Sequence, residues 1–454
     1  MRPVLTLILL VSAAAPAAQP SDEADDQLAR SLDRRDLPFS AFFHYARIVQ
    51  AGPGHAFWPK AVEGAVDTAG RLGDDVLLPN LLGKFPREAF VGLPKETLAR
   101  IDSTLALFAF RAGRIEDAAR FAANVPSDSP AWPESQYVAG LARQRADPAK
   151  AVQAFQEVAA MPRAGRDLNE LALLALGRTL FGLHRYAEAS AAYQKIPRFS
   201  RHWDEALFEG AYADLRNGDP GGALGKLHSL HSPHLRDEFV PESLNLAAIV
   251  FHQRCLYPYV RQAVAAFDRD YLPMREQMKQ VLALRLPVEE HWRMLAASDS
   301  RLPSAVKHHL EKNERVAGFR ALLLALDRES ARIRSDATLG AAAGDLLEAI
   351  ARQKELTEQL AGKFVQGRLA DMERLIGVLE GDKELIAFET TKGEKEMLET
   401  RADVTAQLAA QRLQRPAMPQ SGHEYWPFDG EYWPDEIGYY RYTLKDACGR
   451  GKDE

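Results

Sequence analysis

Residues 176–197 read LGRTLFGLHRYAEASAAYQKIP, and this stretch decides the fold class. Gly177 and Ala189 are small residues on two apolar runs separated by a polar turn. Small side chains at these two positions let a pair of antiparallel helices approach closely. Tyr193, one helical turn after Ala189, is sized to fill the gap against the next unit. Pro197 cannot continue a helix and biases the residue before it away from helical geometry, so the second helix stops there.

The pattern recurs. An alanine followed four residues later by a second apolar residue is found at Ala118 with Ala122, Ala151 with Phe155, Ala189 with Tyr193, Ala223 with Leu227 and Ala263 with Phe267. From Ala118 to Ala151 is 33 residues, to Ala189 a further 38, and to Ala223 a further 34. Gly113 and Gly218 precede their alanines by five residues, where a glycine can end the first helix of a pair. Helix pairs with two apolar faces cannot bury both alone, so successive pairs must stack. The pattern resembles the tetratricopeptide repeat family over residues 97–271, with a helical extension back to Phe39. The resemblance implies an all-α solenoid of helical hairpins whose groove binds a peptide or a partner domain. The family's tryptophan position is rarely filled here, with Trp132 and Trp203 near two repeat starts.

With this core the sequence predicts five segments in all. Arg2, the apolar run Val4–Val11 and the small-residue stretch Ser12–Ala18 have the three parts of a secretory signal peptide, residues 1–18, and the apolar run is too short to span a bilayer. Residues 19–38, with Asp22, Glu23, Asp25 and Asp26, read as a solvated linker. Residues 39–300 form the repeat domain. Residues 301–415 are expected to form long amphipathic helices, because neither proline nor tryptophan occurs from Ser304 to Arg415 and Leu346, Leu347, Ile350, Leu356, Leu360 and Phe364 recur at helical spacing. This stretch suits a helical hairpin or coiled-coil arm that spans between partners, or else an arm folded back over the repeats, with Gly381-Asp382 a turn or a tolerated interruption. Residues 416–454 form an aromatic, proline-rich tail.

That tail repeats Glu-Tyr-Trp-Pro at Glu424–Pro427 and Glu431–Pro434. Trp426, Phe428, Tyr432 and Trp433 either dock on the helical body and cap an open apolar end, or stack on a sugar ring or peptide. Cys255 and Cys448, the two cysteines of the chain, can form one bridge in an oxidising compartment and tie the tail down.

Two further blocks carry a narrower resemblance: Pro241–Leu246 with Cys255, Phe267 and Tyr271, and Trp426–Trp433 with Asp435–Tyr440. Over roughly the last half of the chain they are similar to the periplasmic tetratricopeptide proteins of myxobacterial-type adventurous gliding motility machinery. This resemblance implies a periplasmic subunit of an envelope-spanning complex whose partners are other envelope proteins. It supplies no catalytic residue.

A net charge of −6 spread along the chain gives no attraction to nucleic acid or acidic lipid. No phosphate-binding glycine loop, His-Glu-x-x-His zinc motif or nucleophile elbow is present in the sequence. His228, His231 and His234 lie three apart but Pro233 interrupts their helix, and His308-His309 diverge on one. The expectation is an exported interaction scaffold that is not an enzyme, needs no cofactor or metal, has no membrane span in the mature chain and is of open oligomeric state. The alternative is a glycan-binding envelope module that uses the tryptophan-rich tail.

Overall fold

A computed structural model describes residues 22–73, 76–297, 301–400, 431–444 and 447–448. Among them the chain is all-helical, without strands, and its helices form a packed series of adjacent hairpins. In chain order they are α1 (Asp22–Arg34), α2 (Pro38–Ala51), α3 (Trp58–Leu72), α4 (Leu77–Leu82), α5 (Lys95–Arg111), α6 (Ile115–Ala123), α7 (Trp132–Arg143), α8 (Pro148–Ala159), α9 (Arg166–Gly182) and α10 (Tyr186–Gln194). There follow α11 (Trp203–Arg216), α12 (Pro220–Leu230), α13 (Glu242–Gln253), α14 (Tyr257–Asp270), α15 (Leu272–Ala283), α16 (Val288–Ala296), α17 (Ser304–Glu311), α18 (Glu314–Ser335) and α19 (Ala342–Thr400). No described helix is long and apolar enough to cross a membrane.

One turn geometry recurs between paired helices. Gly113, His184, Gly218 and Cys255 each have a left-handed φ, of 76°, 60°, 81° and 54°. In each case the next residue donates its N–H to a carbonyl five residues back: Arg114 to Ala109, Arg185 to Leu180, Asp219 to Asp214, and Leu256 to Phe251, at 2.9–3.0 Å. These are the closing bonds of a helix C-terminus, which satisfy carbonyls left over at the helix end. Five residues after each left-handed position comes a fully buried small or branched residue: Ala118, Ala189, Ala223 and Val260. The expected register therefore holds at the first three and slips at the last. Val260, and not Ala263, occupies the close-contact position, because Cys255 takes the turn where alanine spacing alone gives no marker. The turn before α8 closes differently, with Asp147 accepting from the Lys150 N–H at 3.2 Å as an N-cap.

The chain divides into two compact units, one of residues 1–172 and 313–361, the other of residues 173–312 and 362–454, with boundaries inside α9, between α17 and α18, and inside α19. Each unit thus combines hairpins with part of the segment expected to be an arm. In the first, Phe42, Trp58, Leu81 and Phe90 share a core with Leu322 and Leu326 of α18 and with Leu346 and Ile350 of α19. Trp58 stacks on Phe90 with ring centroids 5.5 Å apart. Glu329 of α18 accepts from the N–H groups of Phe39 and Ser40, both at 2.8 Å, and so caps α2 from another helix. In this unit Phe155 of α8 packs where a Cβ on Gly140 of α7 would come within 2.6 Å of its ring.

Two expectations are corrected here. The stretch 19–38 is not all linker: residues 22–34 form α1, whose Ala29 and Leu32 join the core and whose Asp25 lies 3.1 Å from His44. Its acidic residues do not all face water: Asp25 and Asp26 are buried, Asp25 against His44 and Asp26 paired with Arg30 one turn on. The 301–415 stretch does not project as a coiled-coil arm in its described part. It runs unbroken through Gly381-Asp382, and part of its apolar surface packs on hairpins, Leu346 and Ile350 in the first unit and Ile386 in the second. In the second unit the carbonyl of Leu379 accepts from Asn245 Nδ2 at 2.9 Å, Arg275 pairs with Glu373 and Glu380, and Lys383 pairs with Asp268 at 2.6 Å.

Candidate interaction surface

The α12 helix reads PGGALGKLHSL, which is rich in glycine for a helix interior, at a cost of about 1 kcal/mol per glycine relative to alanine. Gly221, Gly225 and Ser229 follow one another at four-residue spacing and so share one face. The described tail lies on that face. A Cβ at Gly225 would collide with the carbonyl oxygen of Tyr440, and one at Gly221 with the carbonyl oxygen of Tyr442. The Tyr442 N–H donates to the Gly221 carbonyl at 3.1 Å, and the Gly438 N–H donates to Ser229 Oγ at 2.8 Å. The tail backbone therefore rests directly on the helix backbone at Gly221 and Gly225, where no side chain intervenes.

Polar contacts fix its register. Arg441 makes a two-pronged pair with Asp219, at 2.7 and 2.8 Å, while Asp219 also accepts from the Gly222 N–H at 2.9 Å as the N-cap of α12. Burial pushes the Asp219 carboxyl up, but the Gly222 N–H and Arg441 outweigh it and hold it below its ordinary value. Arg198 donates to the carbonyls of Pro434 and Asp435 at 3.1 and 2.9 Å, and its guanidinium lies 5.1 Å from the centre of the Tyr439 ring. Ile437 is fully buried, worth about 1.5–3 kcal/mol for a side chain of this type.

His228 stands at the centre of an aromatic box. Tyr432 stacks on it at 4.9 Å, Tyr440 meets it edge-on at 4.8 Å, and Tyr442 Oη lies 3.1 Å from its Nδ1. Burial lowers the His228 pKa to about 4, so the ring is neutral at pH 7. His231 bonds Ser243 Oγ at 2.9 Å and is also lowered to about 4, chiefly by burial. His309 packs against Phe239, and burial lowers its pKa as well. The described residues hold no group of three or more His, Cys, Asp or Glu able to bind a metal ion.

At the end of the tail the Ala447 N–H donates to the Arg254 carbonyl at 3.0 Å. Cys448 lies at disulfide distance from Cys255, with Cα atoms 5.0 Å apart across 193 residues of sequence. Beside the docked tail, a cleft of about 280 Å³ is lined by Tyr193, Trp203, Arg198, Lys226, Gly438 and Tyr439.

The other residues singled out in the sequence are placed as follows. Gly177 and Tyr193 meet: a Cβ on Gly177 would come within 2.5 Å of the tyrosine ring, and Ala189 is fully buried beside them on α10. Ala151 is fully buried on α8 with Phe155, and Ala223 packs with Ala211 and Leu227. Tyr432 is docked, whereas Trp433 is 53% exposed. Trp426 and Phe428 lie outside the described residues, as do residues 1–18. The sequence reading missed Gly221, Gly225, Ser229, Asp219, Arg198 and Arg441, and it weighed His228 only as a metal ligand. The Gly-Gly-x-x-Gly spacing on α12 was the available signal, since helix-interior glycines at one face announce a close backbone approach without saying from where.

No family model matches this chain, and no curated protein matches it either.

Proposed function

We propose that the protein is an exported interaction scaffold of tetratricopeptide type, working in the periplasm as a subunit of an envelope-spanning motility or transport machinery and performing no chemistry of its own. The observation that carries the scaffold reading is the repeated contact of a glycine in one helix with an aromatic ring in the next, Gly140 with Phe155 and Gly177 with Tyr193. It is supported by the shared left-handed turn, whose successive positions His184, Gly218 and Cys255 stand 34 and 37 residues apart. Such hairpins offer extended surface rather than a deep pocket. Export is supported by the three-part N-terminal sequence and by the approach of Cys255 to Cys448, which an oxidising compartment would make a bond. The buried charges favour a structural use over catalysis: Arg87 forks onto Asp102, Lys312 bridges Asp204 and Glu238, and Glu329 caps a helix.

Crosslinking in the native envelope, followed by identification of the attached proteins, tests this reading. Defined crosslinks to other envelope proteins are expected. A chain that crosslinks to no protein there is no scaffold.

A second reading, glycan binding, is favoured by one observation: Trp433 and Tyr439 of the tail remain 53% and 73% exposed, and Tyr439 lines the Trp203 cleft. Retention on purified cell-wall sacculi, lost in Trp433→Ala, would support it, and absence of retention would remove it.

A further inference from the structure

The α19 helix has two faces within the second unit. One is taken up by the hairpins, through Leu379, Lys383 and Glu380. The other carries an apolar stripe in water. Val378, Leu385 and Phe388 are 59%, 61% and 64% exposed, and Gly381 lies between them with open space where a Cβ would stand. The steps from 378 to 381, 385 and 388 are three, four and three residues, the spacing of a coiled-coil seam over two heptads. Large apolar side chains so exposed and so aligned mark an interaction site more often than chance scatter.

The charges beside the stripe select the occupant. Asp382 and Glu389 flank it on one side and Glu384 on the other, all exposed. Within the stripe the basic residue, Lys383, is turned inward and held by Asp268, and the exposed Lys392 and Lys395 come only after the last apolar residue, Phe388. A second copy of the chain docking seam to seam would set acidic edges against acidic edges in either orientation, which is unfavourable at these flanking positions. A helix with apolar seam residues and lysine or arginine edges fits in shape and charge.

Building on the scaffold reading, we propose that the Val378–Phe388 face of α19 is the docking site for a basic-edged amphipathic helix of a partner protein. The seam supplies contact area and the acidic edges choose the partner and its register.

The test uses the full oxidised chain and two synthetic three-heptad peptides with the same leucine seam, one with lysine at the edge positions and one with glutamate, titrated by calorimetry. The lysine peptide is expected to bind and the glutamate peptide to bind at least about tenfold more weakly. Affinity should fall as salt rises and the screening length shortens. The double variant Leu385→Ser/Phe388→Ser, which alters only exposed side chains and should keep its helicity and melting temperature, is expected to weaken lysine-peptide binding by about tenfold or more. Equal binding of the two peptides, binding of neither, or binding unaffected by the double variant overturns the proposal. So does sedimentation showing a wild-type dimer that the double variant abolishes, which would make a second copy the occupant. Any of these outcomes alongside crosslinked envelope partners elsewhere on the chain sinks this surface and leaves the scaffold standing; the lack of any crosslinked protein sinks the scaffold itself.

Discussion

The carbonyl oxygen of Tyr440 sits against the backbone of Gly225 so closely that no β-carbon fits between them. These residues stand 215 apart in the chain, and the absence of one methyl group on α12 admits the tail. An exposed helix glycine replaced by alanine ordinarily gains about 1 kcal/mol. Here the sign should reverse: Gly225→Ala is expected to destabilise the protein by about 1–3 kcal/mol and to speed amide exchange over residues 438–442. Gly367→Ala on α19, where a Cβ meets open space, is the control and should stabilise by up to about 1 kcal/mol. Chemical denaturation with exchange mass spectrometry reads both.

Gly177 and Tyr193 make the corresponding contact within a hairpin. Gly177→Val forces a branched side chain into the tyrosine ring, and a loss of about 2–3 kcal/mol is expected. Combining it with Tyr193→Ala should recover part of that loss, since the two sites share one space. A double-mutant cycle in denaturant measures the coupling, and strict additivity would contradict the contact.

The box around His228 predicts a pH dependence. Its folded pKa, about 4, is depressed below the ordinary 6.5. The unfolded chain therefore binds the proton more readily between those values, and stability falls as pH drops from about 6.5 to about 4. A shift of this size corresponds to about 3 kcal/mol. His228→Phe keeps an aromatic ring in the box and should flatten part of this slope, with the remainder assigned to His231. Unfolding free energies measured at pH 7 and 4.5 for both proteins check it.

Cys255 occupies a left-handed turn position that elsewhere falls to glycine or His184, and it meets Cys448 there. Protein isolated from an oxidising compartment should show no free thiol by mass mapping. Cys448→Ser, or reduction, is expected to cost about 3–5 kcal/mol in the chain-entropy account of a long loop and to raise exchange at residues 438–447. Thiol titration of the native protein at two equivalents would contradict the pairing.

The helical class was legible because it is local. Alanine and aromatic residues at i and i+4, glycines at hairpin turns and a proline-free run of 112 residues each act through backbone geometry and short-range packing. The hairpin contacts at Gly177 and Ala151 were likewise legible, since each pairs elements close in sequence. The acidic α1 was not. Its charges outnumber its apolar residues, and only Leu32 and Ala29 meeting the core reveal which face is inside.

By itself, then, the sequence determined that this chain is helical and marked the turns at Gly113 and Gly218 and the small seam residues Gly177, Ala189 and Ala223, because those properties depend on neighbours a few residues away; the turn at Cys255 it did not mark. Only the tertiary structure decided what covers each face. The 301–400 helices fold onto the hairpins of both units, and the tail lies on the glycine face of α12. Val378, Leu385 and Phe388 are left in water. An amphipathic pattern states that a face must be buried or offered, but the free energy of burial is the same for any apolar partner of the right shape. The choice among partners hundreds of residues apart rests on steric details, such as a missing β-carbon at Gly225, that take meaning only when the opposing backbone is in place.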